Sequence, residues 1–324
     1  MLKIINNYLS QLPSALAGLA LGIASLGLCW ENAVNLQGAG QIFGTILASC
    51  ILVPLVFKFL VNPHLLKQDL QHYIGGSVTP TLAMATMVVA NNIALYHFLL
   101  GQIISSLAII LHLCFLLLFI YYRSKSFKLE HILPSWFIPP IGLVIALIMH
   151  PGGLYPLLAD LVFGGALLAY ALLLPTVLYR LLYSKKLCEH EQPILIILAT
   201  PASLLLVGYF ASTTQANYLM VALLATLAVV MTLFAYLALI KLLRLPFTPA
   251  YSVFTFPLVV GATALFKTSH FLAIKGYLPL AAMTEQLAYM ELVIATLMVI
   301  YVSIRYIHYL SVPKAFFNEI KKAR

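Results

Sequence analysis

The sequence predicts an all-α integral membrane protein, ten transmembrane helices arranged as five helical-hairpin repeats around a central pore. Three observations predict it. The 324 residues are 63% hydrophobic and only 8% charged, with a mean hydropathy of +1.02. A soluble domain carries about 25% charged residues, and no single soluble core could hide so much apolar surface. Ten apolar segments have roughly the length of about 20 residues that spans a hydrocarbon layer. Prolines then recur in alternate segments with a period of about sixty residues, and fixed-period self-similarity is the mark of a repeat architecture.

In chain order the ten segments run roughly 12–30, 37–60, 78–96, 99–121, 132–149, 157–183, 193–212, 216–243, 249–273 and 284–311. The boundary at 96–99 is a very short turn marked by Asn91, Asn92 and His97. The linkers leave no room for a separate soluble domain, so residues 1–324 are read as one transmembrane domain. The start, MLKIINNYLSQLPS, leads into the first helix without a small-residue cleavage site of the signal-peptide kind.

Net charge is +9, yet the cations sit between apolar segments, so membrane topology accounts for them without a nucleic-acid partner. With the N-terminus placed inside, sixteen of the 18 Lys and Arg fall on one side: Lys3, Lys58, Lys67, Arg123, Lys125, Lys128, Arg180, Lys185, Lys186, Lys241, Arg244, Arg305, Lys314, Lys321, Lys322 and Arg324. Lys267 and Lys275 fall on the other. That split is what the positive-inside rule gives for an even helix count with both termini cytoplasmic, in a bacterial-type inner membrane.

The periodic prolines are Pro13, Pro80, Pro139-Pro140, Pro201 and Pro257, spaced by 67, 60, 61 and 56 residues when Pro140 is taken. All lie in odd-numbered helices; Pro54 and Pro175 are the interruptions in the even ones. Proline removes an N–H and clashes with the carbonyl one turn earlier, so it kinks a helix. Irregular backbone at membrane depth survives where it is buried or lines a water-filled path. The odd helices are therefore expected to form an inner ring around a conduit and the even ones an outer ring. Gly18–Gly22 and Gly40–Gly44 are GxxxG pairs that permit close helix approach, read here as internal packing.

The Leu12-Pro13 start with Gly18 and Gly22, the five kinked hairpins, and Phe254-Thr255-Phe256-Pro257 in the ninth helix resemble the tellurite-resistance/dicarboxylate transporter family, whose members include TehA-like proteins and the plant slow anion channels. The resemblance covers nearly the whole chain. It implies a homotrimer in which each protomer has its own pore, lined by five inner helices and plugged by a phenylalanine that corresponds to Phe256. It further implies small inorganic or organic anions as the transported species. The alternative within the family is a proton-coupled transporter or exporter of dicarboxylate, sulfite or tellurite. The early first helix reads Ala15-Leu16-Ala17-Gly18, where family members often carry an aromatic, and few aromatics are expected near the prolines of the third, fifth and seventh helices.

The residues themselves agree with an anion or neutral solute. No carboxylate lies mid-membrane in an odd helix; Glu31 and Asp160 lie at helix ends, whereas cation pathways carry acidic rings. Lys267 follows Phe256 by 11 residues, about 20° from three full turns and about 16 Å further along the helix. It is a candidate outer-mouth charge that would raise local anion concentration; an ion pair with Glu285 or Glu291 is the other reading. His112, mid-helix in an outer segment, is expected to be a hydrogen-bonded packing residue. Cys188-Glu189-His190-Glu191 is expected to be a solvated loop, not a metal site, and Cys29, Cys50, Cys114 and Cys188 to be small packing residues. No HExxH, P-loop or Gly-x-Ser-x-Gly motif occurs, so neither an enzyme nor a cofactor is expected.

Overall fold

The structure, a computed structural model, describes residues 2–311; the terminal cations Lys314, Lys321, Lys322 and Arg324 lie outside the described residues. A short helix, Leu2–Gln11, precedes the bundle. Nine helices among the described residues are long and apolar enough to cross a membrane. They are span 1 (Leu16–Ala33), span 2 (Ala39–Val61), span 3 (Tyr73–Ala94), span 4 (Phe98–Lys125), span 6 (Pro156–Tyr183), span 7 (Gln192–Ser212), span 8 (Tyr218–Leu242), span 9 (Pro249–Ile274) and span 10 (Leu278–Ser311).

The expected fifth helix is not continuous. Its segment, here span 5, consists of Pro134–Phe137, Ile138–Ile141 and Val144–Met149. Pro139 and Pro140 supply no N–H to a helical ladder, so the backbone breaks there. Ile132, Leu133, Trp136, Phe137, Ile141, Val144 and Ile145 are nonetheless buried, which is the condition under which broken backbone persists at this depth.

Spans 3, 7 and 9 are broken too, with prolines at the breaks, whereas span 1 is one continuous helix that its proline precedes. Pro13 lies in the turn between Leu2–Gln11 and span 1. Pro80 separates Tyr73–Val78 from Thr81–Ala94. In spans 7 and 9 a 3-10 stretch, Gln192–Ala199 or Pro249–Phe254, gives way to an α-helix with Pro201 or Pro257 in its first turn. Proline is favoured there, because the first-turn N–H groups have no intrahelical partner.

Burial separates the two sets of spans. Within an 18-residue apolar stretch of each, spans 1, 3, 7 and 9 are between 61% and 78% buried and spans 2, 4, 6, 8 and 10 between 11% and 39%. Each odd span packs against the even span that follows it. Span 1 also packs on span 3, span 3 on span 5, span 5 on span 7, span 7 on span 9, and span 9 back on span 1. The even spans are apolar all round, with exposed side chains such as Leu107, Leu117, Leu168, Leu233 and Leu297, as lipid contact requires.

Both GxxxG pairs work inside the chain. A Cβ at Gly22 would collide with Thr255 of span 9, and one at Gly18 would crowd Ser252. Gly40 and Gly44 meet span 1 at Gly27 and Ile23. At the C-terminal ends of spans 2, 4 and 6, Lys58, Arg123 and Arg180 are buried and donate to backbone carbonyls of Leu12, Gln71, and Glu130 and Lys185. Cations at helix C-termini also complement the helix dipole.

Candidate functional site

Three cavities follow one another along the bundle axis. The first, about 360 Å³, is lined by residues including Pro13, Ser14, Asp69, His72, His190 and Thr248. The second, about 40 Å³, is lined by all five odd spans: Gly18 and Leu21, Thr81 and Met84, Phe137 and Gly142, Thr200 and Pro201, Phe256 and Pro257. The third, about 210 Å³, again draws on all five, with Ser25, Asn91, Ile145, Val207 and Lys267 among its walls. Val78, Ser252 and Val253 are shared by the first and second. Leu204 and Phe256 are shared by the second and third. The line is therefore pinched in the middle, and Phe256 stands on the boundary between its narrowest chamber and the Lys267 end.

Span 9 and span 1 together hold Phe256 in place. Thr255 Oγ1 lies 2.7 Å from the carbonyl oxygen of Ser252 and 3.2 Å from that of Gly18, which ties the turn before Phe256 to the close-approach face of span 1. Pro257 has no N–H to offer Val253 four residues earlier, and Val253 lines both the first and second cavities. Phe254 points elsewhere: it is fully buried, 4.6 Å from the Tyr251 ring, and is not among the side chains lining the three cavities.

Charge along the line is sparse. The central cavity has no ionisable lining side chain, and Lys267 is the one charged residue lining the third. Lys267 is exposed, and neither Glu285 nor Glu291 forms an ion pair with it among the described residues. At the opposite end Asp69 accepts from Ser14 Oγ, which accepts in turn from Lys58 Nζ at 2.9 Å. That carboxylate therefore faces a nearby cation through one hydroxyl.

Four residues read from sequence, Glu191 and three cysteines, sit differently from their expected setting. Glu191 is buried, not solvated: its carboxylate accepts from Tyr73 Oη at 2.7 Å and from the Cys188 N–H at 2.9 Å. Of the four cysteines only Cys29 is buried; Cys50, Cys114 and Cys188 are exposed. His112 is fully buried with Nε2 2.8 Å from the Pro139 carbonyl oxygen, so it ties span 4 to the broken backbone of span 5. Among the described residues no group of three or more His, Cys, Asp or Glu could hold a metal. Outside the spans, Lys185 beside Glu130 holds that carboxyl below its ordinary range, and partial burial lowers His150, whose Nδ1 lies 3.0 Å from Ser105 Oγ.

Phe137 was missed by sequence reading. It lies two residues before Pro139 and lines the central cavity, so the fifth segment does bring an aromatic to the axis beside its prolines. Thr81 and Thr200 are there too, each at the start of the helical half its proline defines.

A helical bundle with membrane-length spans and a file of cavities running down its proline-broken half is a polytopic membrane transport protein. The chain belongs to the SLAC1 family of voltage-dependent anion channels, whose sequence profile matches residues 11–307. It is similar to two proteins of Methanocaldococcus jannaschii, the uncharacterized transporters MJ0762 and MJ0576. Each is 27% identical, over 247 and 245 residues, covering 67% of this chain and 71% and 70% of the relatives. The family expected from the sequence is the one found.

Proposed function

We propose that this chain conducts small anions through a pore within each protomer, lined by the five odd spans and closed at Phe256. The observation that carries the reading is the charge pattern of the axial cavities. The central and third chambers, walled by all five odd spans, contain a single ionisable group, the unpaired cation Lys267. A cation at a mouth with low-dielectric walls concentrates anions, and the absence of an acidic ring argues against a cation path. In this reading Phe256 is the gate: its ring fills the passage between the chambers and presents an apolar surface that water and ions avoid.

The same reading puts the protein in the inner (plasma) membrane as a homotrimer with both termini cytoplasmic, the Asp69 end inward and the Lys267 end outward. The trimer rests on the family resemblance; the orientation rests on the distribution of Lys and Arg. Reconstitution into liposomes with chloride, nitrate or malate gradients tests it. Electrogenic flux of at least one of these anions, increased in Phe256→Ala, is expected. Flux of alkali cations with none of the anions would overturn it.

A further inference from the structure

Glu291 is the buried carboxyl that the pore reading leaves unused. It lies midway along span 10, is 6% exposed, and its Oε1 has no hydrogen-bond partner. It faces Gly261 of span 9, where any Cβ would collide with that same oxygen. A carboxylate taken out of water without a countercharge is costly, and intramembrane acids mark functional sites. No Lys or Arg pairs with it among the described residues.

The carboxyl opens on a cavity of about 20 Å³ between spans 7, 8, 9 and 10, whose polar lining is Ser203, Thr232, Thr268 and Glu291. Ser203 Oγ donates to the Ala199 carbonyl at 3.0 Å, and Thr268 Oγ1 to the Ala264 carbonyl at 2.7 Å. Those hydroxyl protons are committed, so both oxygens offer lone pairs alone. With Glu291 Oε1 the few polar groups in an otherwise apolar lining are mainly acceptors, and the space suits one water-sized occupant. Other titratable groups within electrostatic reach are Cys29 of span 1 and Tyr236 of span 8. The Tyr236 hydroxyl is also buried without a partner. Spans 7 and 9 contribute no ionisable lining residue to the cavity.

We propose that Glu291, Ser203, Thr232 and Thr268 form a monovalent-cation site behind the pore, which takes either a proton on the carboxyl or a sodium ion among the oxygens. The site stands on its own geometry and does not depend on the anion-pore reading. Its consequence for gating does: Gly261 is five residues beyond Phe256 on one helix, so cation release would push a bare carboxylate against the span that carries the ring.

The test uses the purified full chain in detergent, with thermal stability followed from acidic to alkaline buffer in sodium chloride and in choline chloride. A hydrophobic carbodiimide, which couples to protonated carboxyls in apolar surroundings, is the second probe. If the occupant is sodium, Tm rises with sodium in alkaline buffer and sodium slows carbodiimide labelling of the Glu291 peptide. If it is a proton, Tm falls as pH rises whatever the salt, and labelling follows pH alone. Glu291→Gln should abolish either response, and Thr268→Val should weaken the sodium response while leaving the carboxyl in place. A wild-type protein whose Glu291 is not labelled and whose Tm responds to neither cation would overturn the site. So would an undiminished response in Glu291→Gln. Neither readout involves anion flux, so failure here and failure of the pore reading are separable.

Discussion

Replacing Phe256 with alanine should open the pore. The ring stands between chambers of about 40 and 210 Å³, and with Leu204 it is one of two side chains that line both. Truncation leaves Leu204 as the remaining shared wall and joins the chambers over the width of a phenyl group. A tenfold rise in conductance needs a barrier lower by only about 1.4 kcal/mol. Stripping polar partners from a group without replacing them costs roughly 2–7 kcal/mol, so an apolar plug that dewets the passage has ample room to supply that barrier. The expected rise is therefore at least about tenfold in chloride or nitrate flux per protomer.

The stability cost should be modest. Truncating a core phenylalanine costs about 3–5 kcal/mol when a cavity is left in packed surroundings. Here the ring already borders empty space on two sides, and among the described residues it stacks on no other ring. Phe254→Ala is the control: that side chain is fully buried against Tyr251, so its loss should lower protein yield or Tm and leave flux per folded protomer unchanged. Liposome flux, normalised to protein that elutes as the wild type does, decides the matter. A well-folded Phe256→Ala protein with wild-type flux would refute the gate.

Three further outcomes are expected. Lys267→Glu should lower anion flux in dilute salt, with the deficit shrinking as the Debye length falls from about 30 Å at 0.01 M to about 3 Å at 1 M; equal flux at low salt would remove Lys267 from the conduction path. Gly22→Ala should lower Tm, by about 1–3 kcal/mol of overpacking, because its Cβ would strike Thr255; an unchanged Tm would show that span 1 can move away from span 9 freely. Tags on the two termini should be protected from, or accessible to, a membrane-impermeant reagent together; opposite behaviour would break the even-span topology.

The membrane class and the family were legible because they rest on composition, on the proline period and on Phe254-Thr255-Phe256-Pro257, all properties of the chain itself. The break in the fifth segment was half legible. Pro139-Pro140 announced a kink, but how far the helix dissolves depends on what surrounds it, and here His112 of span 4 meets the Pro139 carbonyl. Lys58, Arg123 and Arg180 counted toward topology only by the side on which they fall, and each is buried and donates to backbone carbonyls. A cation in a sequence does not say whether it faces headgroups or caps a helix end. Glu291 was visible only as a possible partner for Lys267. That it stands alone follows from Gly261, since the missing side chain on span 9 makes the space the carboxyl fills, and no one-dimensional pattern links positions 30 residues apart on different helices.

Span 9 carries the positions on which these readings meet. Thr255 and Pro257 break the backbone, Phe256 stands at the pinch, Gly261 admits Glu291 from behind, and Lys267 faces the third chamber. One face of the helix meets the cavities and another meets span 10, so a shift that relieves Glu291 must also move the ring or be absorbed at the break before it. The break is tied down: Thr255 bonds back to Ser252 and across to Gly18, and Gly22 lets it sit that close. The turn is then a fixed point held by span 1, and the α-helical part, Phe256–Ile274, begins at it. Because Phe256 is the first residue of that piece, the Thr255 tie sets where its ring stands at the pinch, while Phe254, before the break, packs on Tyr251.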